Sequence, residues 1–154
     1  MTFNSMEELK NYILSCSKEA IEMAQIRVFD IIDKFLERFY SEYTPVLYER
    51  TRQLLHSLVT TDIKSTGNGW VAEVYFDASL MDHSIKGLQG IGMWYNKGWS
   101  EEKILETAMI GEHPHGGWPT TNETQIWTES MKVLNKDAIN ILKQELINAG
   151  IPVR

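Results

Sequence analysis

The feature that most constrains the fold is an uninterrupted helical pattern near the N-terminus. No glycine or proline occurs between residues 6 and 42, and Ser5 and Glu8 form a capping-box pair at the start. Apolar side chains recur there at spacings of three and four, which places them on one face of a helix. We therefore predict one helix over residues 5–42, roughly 55 Å long. The stripe comprises Leu9, Ile13, Cys16, Ala20, Ala24, Val28, Ile31, Phe35 and Phe39, widened by Tyr12, Ile21, Ile32 and Leu36.

The length of this helix raises the question of what covers its apolar face. Strands of 5 or 6 residues span about 17–20 Å, so one small sheet is too short to cover the whole stripe. Two arrangements remain open. Either the face packs within the chain, with a bend and with help from the C-terminal helix, or part of it projects to meet another subunit.

The clearest hairpin follows this helix. Thr44-Pro45 ends the helical pattern, because proline disfavours the α conformation in the residue before it. Residues 54–64 are rich in leucine and β-branched side chains and predict a first strand, with room for a short helical turn at its start. The turn is Thr66-Gly67-Asn68-Gly69. Residues 70–77 alternate between two faces, which predicts a half-buried second strand.

The remaining chain is predicted to hold loops and a final helix. Residues 78–122 are rich in glycine and tryptophan. They are predicted to form loops, with or without a short strand near residues 91–95, and a short helix that opens at Ser100. Residues 123–149 keep helical spacing until Gly150 and Pro152 end the pattern. The predicted fold class is α+β, in which a long N-terminal helix and a C-terminal helix pack on a small antiparallel sheet. The whole chain, 1–154, is predicted to form a single domain.

Composition excludes several classes of function. The net charge of −6 and the pI of about 5.2 argue against a broad nucleic-acid-binding surface, and no specific nucleic-acid partner is expected. The sequence contains no run of ~18 apolar residues, so no membrane-spanning helix is predicted. The N-terminus carries acids where a signal peptide would carry positive charge, so the chain is expected in a cytoplasm. A single cysteine, Cys16, rules out an internal disulfide and a multi-cysteine zinc site.

Catalytic and metal signatures are weak. The loop Glu112-His113-Pro114-His115 is the one local cluster of metal-ligand residue types in the sequence, but its spacing matches no closed zinc module. We found no Gly-x-Ser-x-Gly motif and no phosphate-binding glycine loop. We therefore predict no catalytic residue, no bound metal and no cofactor. A metal-dependent hydrolase that uses Glu112, His113 and His115 is the least favoured alternative.

Tryptophans in the glycine-rich loops are the candidate interaction residues. Tryptophan often anchors interfaces, and it also covers loops from within a core, so both roles stay open for Trp94, Trp99 and Trp118. We hypothesise that the loops over residues 87–99 and 112–119 form a subunit or partner surface. Its candidate members are Trp94, Trp99, His113, His115 and Trp118.

Several segments together resemble a phage protein family. They are the long N-terminal helix, the hairpin, the segment Gly111-x-His113-x-His115-Gly116-Gly117, and a last helix that closes in Ala149-Gly150-Ile151. The helix and the hairpin are joined through Tyr40-x-x-Tyr43-x-Pro45-x-x-Tyr48-x-Arg50-Thr51. In these features the chain resembles the small neck and tail-completion proteins of long-tailed bacteriophages and prophages. The many tryptophans and glycines between residues 87 and 118 depart from that pattern.

The resemblance implies an α+β fold and a role in head–tail joining. A structural virion protein of this kind would assemble as a ring between the capsid portal and the tail tube, without enzyme activity or cofactor. Its partners would be copies of itself and other phage neck and tail proteins. It would occupy the cytoplasm of the bacterial host during assembly and the virion afterwards. The alternative is a mobile-element interaction protein, such as an inhibitor of a host defence enzyme, since an acidic chain suits a basic target.

Overall fold

A computed structural model of the chain describes residues 2–42, 53–80, 102 and 126–153. It contains a long N-terminal helix, a C-terminal helix and a small antiparallel sheet, which confirms the predicted α+β class. The elements in chain order are α1 (Met6–Glu42), α2 (Gln53–Ser57), β1 (Leu58–Thr60), β2 (Lys64–Ser65), β3 (Trp70–Val71), β4 (Val74–Phe76), a 3₁₀ turn (Ala78–Leu80) and α3 (Ile126–Asn148).

Helix α1 runs for 37 residues without a break, as the apolar stripe predicts. At its start the Glu8 amide donates to Ser5 Oγ at 3.1 Å, which satisfies one of the free N–H groups of the first turn. The Glu8 carboxylate accepts from the Asn4 amide at 2.7 Å, one residue earlier than in the standard capping box. The cap therefore secures the segment before the helix as well as its first turn.

Strands β2 and β3 form the predicted hairpin. Lys64 lies opposite Val71, and Ser65 lies opposite Trp70. The Thr66 amide donates to the Gly69 carbonyl at 3.0 Å across the turn. Gly67 takes a φ of +86°, a conformation that hairpin turns reserve largely for glycine.

The first strand is shorter than residues 54–64, because residues 54–57 form a short helical turn, for which the prediction left room. These residues lie in α2, where buried Ser57 donates from Oγ to the Leu54 carbonyl at 2.8 Å. The strand is also interrupted between β1 and β2. There the Thr61 amide donates to the Glu73 carbonyl, while the Glu73 amide donates to the Thr61 hydroxyl, both at 3.0 Å. A side chain thus replaces one backbone partner, which breaks the regular ladder.

The side chain of Gln25 on α1 secures this interruption. Its Nε2 donates to the carbonyls of both Thr61 and Glu73 at 2.9 Å. One amide group therefore joins the two strand segments to the helix where their own ladder is irregular.

We expect Gln25→Ala to lower the free energy of unfolding by about 1–2 kcal/mol, because two hydrogen bonds are lost together. Urea unfolding followed by circular dichroism measures this change. Gln144→Ala is the matched control, since the Gln144 amide makes one exposed hydrogen bond, to Asn148 at 3.0 Å. If both substitutions cost the same, the side chain of Gln25 does not hold the strands to the helix.

The chain divides into two compact units. The first consists of Met1–Asp30, Thr60–Val74 and Val133–Arg154, and the second of Ile31–Val59 and Tyr75–Lys132. Among the described residues of the first unit, Cys16, Ala20 and Leu134 are the buried apolar side chains. Those of the second unit are Ile32, Leu36, Phe39, Leu54 and Leu58.

Candidate interaction surface

The five residues proposed from sequence as an interface lie outside the residues that the structure describes. The same holds for the loops that contain them and for the short strand predicted near residues 91–95. Their role in a partner surface therefore stays a prediction. The five are Trp94, Trp99, His113, His115 and Trp118.

Groups capable of chemistry are sparse in the described part of the chain. No three or more His, Cys, Asp or Glu side chains gather there in a way that could hold a metal ion. The free thiol of Cys16 is buried on α1. A hydrogen bond with Cys16, together with burial, raises the pKa of the Tyr12 hydroxyl above its ordinary value. Tyr12 also packs against the ring of Phe3, with ring centroids 5.2 Å apart.

The hairpin occupies one side of α1 in the first unit. Half-buried Trp70 donates from Nε1 to the Leu14 carbonyl at 2.8 Å, which gives its indole N–H a partner. Lys18 lies over the same ring, with Nζ 5.5 Å from the centroid. Trp70 thereby attaches the hairpin to the helix.

The C-terminal segment also contacts α1 within this unit. Arg27 forms an ion pair through Nε with Glu145, whose side chain is only 3% exposed. The other carboxylate oxygen of Glu145 accepts from the Asn148 amide group at 3.1 Å. Beyond the end of α3, Gly150 lies against the hydroxyl of Tyr12. These contacts and those of the hairpin leave other positions of α1 open to solvent.

A mixed acidic and apolar face remains exposed on α1. Its members occur at i, i+3, i+4, i+7 and i+11, a spacing that aligns side chains on one face of a helix. Met23 is 42% exposed and Ile26 is 46% exposed, although both are large apolar side chains. The carboxylates of this face form no ion pair with any described residue. We call it the acidic α1 face, and it consists of Glu19, Glu22, Met23, Ile26 and Asp30.

Helix α3 presents an exposed face with the same spacing and the opposite charge. Ile139 is 71% exposed and Ile147 is 49% exposed. The two lysines of this face form no ion pair within the part of the chain that the structure describes. We call it the lysine α3 face, and it consists of Lys136, Ile139, Asn140, Lys143 and Ile147.

Both faces escaped the sequence analysis, although a signal for them was present. Met23 and Ile26 lie off the apolar stripe that predicts the buried side of α1. Ile139 and Ile147 likewise lie off the stripe of α3, which runs through Leu134, Ile141 and similar positions. Apolar residues outside the main stripe, spaced at helical intervals among charges of one sign, are the pattern that would have identified them.

A shallow apolar groove also lies in the first unit, with a volume of about 300 Å³. It opens between the first turns of α1 and the hairpin turn. Met6, 79% exposed, stands at its edge. Its lining residues are Met6, Leu9, Lys10, Ile13, Leu14, Gly67 and Asn68.

Two further findings concern the helices and the family of the chain. None of the helices in the described ranges is long and apolar enough to cross a membrane. In comparisons with known proteins, the family model described as YomN matches residues 5–149. No curated protein and no solved structure matched the chain.

Proposed function

The chain belongs to the YomN family, which is phage-derived, and from that premise we propose that it is a structural protein of the virion. In this proposal it is a neck or tail-completion subunit that assembles into a ring between the portal and the tail tube. Its partners are other copies of itself and further neck and tail proteins. It acts in the cytoplasm of the bacterial host during assembly and stays in the finished particle, and the proposal assigns it no catalytic activity.

The observation that carries this proposal is the exposure of large apolar side chains on two helices of one compact unit. Ile26 and Met23 on α1, and Ile139 and Ile147 on α3, are left in water by the single chain. Monomeric proteins seldom leave such side chains clustered on one helix face, because each square ångström of apolar surface removed from water contributes roughly 25 cal/mol. A partner that covers these faces is the ordinary reason for keeping them, and a subunit of an assembly has such a partner.

Removal of the chain from the phage tests the function directly. We expect that a stop codon early in its gene, in the phage or prophage that carries it, yields filled heads and free tails that do not join. Electron microscopy of lysates gives this readout. Supplying the chain from a plasmid should restore joined particles, whereas the same plasmid with a stop codon should not. Peptides of the chain should also be detected by mass spectrometry in purified particles.

The opposite result would be equally clear. Intact, infectious particles that form without the chain, and that contain none of it in the wild-type phage, would overturn the structural role.

One observation favours the second function, inhibition of a host defence enzyme. Glu19, Glu22 and Asp30 occupy one exposed face without ion pairs to described residues, which suits a basic target. In that case phage lacking the chain would form normal particles. Its yield would fall only in hosts that carry the defence system.

A further inference from the structure

We propose that the acidic α1 face of one copy packs against the lysine α3 face of a second copy. This inference rests on the proposed function, because it supplies the contact through which copies of the subunit would assemble. The occupant of each face is thus another molecule of the same chain.

The two faces match in size and pattern. Each contains five exposed positions at i, i+3, i+4, i+7 and i+11, so each extends about 17 Å along its helix. Side chains at this spacing project from one side, as they do in packed helix pairs. Two helical faces of equal length can therefore lie along one another over their full extent.

Each face contains an isoleucine with a charged side chain about one turn to either side. On α1, Glu22 and Asp30 lie one turn to either side of Ile26. On α3, Lys136 and Lys143 lie about one turn to either side of Ile139. With Ile26 placed on Ile139 and the helices antiparallel, Glu22 meets Lys143, Asp30 meets Lys136, and the two faces overlap over their full extent.

Within a single chain the charged groups of the two faces have no such ion-pair partners among the described residues. The described residues offer no ion pair to Glu22, Asp30, Lys136 or Lys143. Ile139 is the most exposed isoleucine of the two faces, at 71%. Contact between copies would bury the isoleucines and place each charge beside its opposite, and opposite charges across an interface favour the correct partner and register.

Two copies of the same face would repel one another, because each face carries charges of one sign. Two acidic α1 faces would bring six carboxylates together without a cation, three from each copy. Two lysine α3 faces would bring four ammonium groups together. Like charges that face each other across a contact oppose it, so the pairing of unlike faces is the one that the charges allow.

A charge-swap experiment tests the pairing. We expect Glu22→Lys with Asp30→Lys to raise the dissociation constant of self-association at least about tenfold, because lysines then face lysines. Lys136→Glu with Lys143→Glu should have a similar effect. A mixture of these two double variants should associate again, because each altered face then meets a complementary one. Sedimentation over a concentration series of the full chain measures all three.

Controls separate the charge effect from misfolding. Asp62→Lys reverses one exposed acid of the hairpin segment, as each of the two α1 substitutions does, and it should leave association unchanged. Circular dichroism should show folded proteins throughout, since all the altered side chains are exposed. Recovery in the mixture also requires folded chains.

Cysteine cross-linking tests the register independently. Chains with Ile26→Cys and chains with Ile139→Cys, both carrying Cys16→Ala, should form a mixed disulfide dimer under mild oxidation. Asp62→Cys in place of either cysteine should give little product.

Three outcomes would overturn the proposal: a wild-type chain that stays monomeric at every concentration, swapped variants that associate like wild type, or a mixture that fails to recover association.

The stop-codon test of the proposed function and the charge-swap test of the two faces can fail independently. Unjoined heads and tails without the chain, together with charge swaps that have no effect, would retain the function and reject these faces. Normal particles without the chain, together with a mixture that recovers, would retain the faces and reject the function.

Discussion

Replacement of Arg27 by methionine is expected to lower the free energy of unfolding by about 3 kcal/mol. Arg27 is the cation beside Glu145, whose carboxylate is 3% exposed. Removing one partner of a buried ion pair leaves an uncompensated charge and typically costs about 3–5 kcal/mol. We take the lower end because the Arg27 side chain is itself 48% exposed. Its charge is therefore partly hydrated. Urea unfolding followed by circular dichroism gives the change.

A double substitution shows whether the loss of stability comes from the uncompensated carboxylate of Glu145. Arg27→Met combined with Glu145→Met replaces the pair by apolar side chains, a change that is often neutral or stabilising. We expect the double variant to recover most of the loss. Lys132→Met is the matched control, since its ion pair with Glu129 is exposed on both sides and should be worth less than about 1 kcal/mol. If the double variant is as unstable as Arg27→Met, the burial of Glu145 is not the cause.

Replacement of Gly150 by alanine is expected to cost about 2–3 kcal/mol in the free energy of unfolding. Gly150 follows α3 with a φ of +94°, and an L-residue pays roughly 1–2 kcal/mol for a left-handed conformation. The Gly150 amide donates to Ile147 at 3.0 Å and the Ile151 amide to Leu146 at 2.8 Å, the two bonds of a Schellman cap. An added Cβ would also lie 2.6 Å from the Tyr12 hydroxyl, so that ring must move.

Other glycines and a tyrosine variant separate the two causes. Gly67 has a φ of +86° and nothing within 4 Å of an added Cβ, so Gly67→Ala measures backbone strain alone. Gly69 has an ordinary φ, and the nearest atom to an added Cβ lies 3.8 Å away, so Gly69→Ala should change stability little. Tyr12→Phe should recover part of the loss in Gly150→Ala by removing the clashing oxygen. Equal costs for Gly67→Ala and Gly150→Ala would exclude a contribution from Tyr12.

Local patterns predicted much of the fold. The unbroken stripe of residues 6–42 gives α1, because helical spacing repeats without a glycine or proline to interrupt it. Residues 70–76 alternate between half-buried and exposed side chains, as the period of two predicts. Residues 54–57 show where local patterns leave the choice of element open. A leucine-rich segment is compatible with a helix or a strand, and the sequence offers no way to choose between them.

The candidate surface was harder to predict. From the sequence we predict it at Trp94, Trp99, His113, His115 and Trp118. These residues lie outside the described residues, so their role stays a prediction. Ile26 and Ile139 are isoleucines within helical segments, and nothing in the sequence distinguishes them as tryptophan or histidine would be distinguished. Only the exposed fraction of their side chains marks them as unpartnered.

Local sequence patterns were enough to predict α1, the hairpin turn and the end of α3, because capping, glycine turns and apolar periodicity act between residues a few positions apart. Tertiary structure alone decided which side chains remain exposed and which distant groups meet. Gln25 reaches the carbonyls of Thr61 and Glu73, 36 and 48 positions away, and Arg27 meets Glu145. Such pairings depend on how elements pack. No local periodicity encodes them, because contact across the fold depends on the positions of whole elements in space.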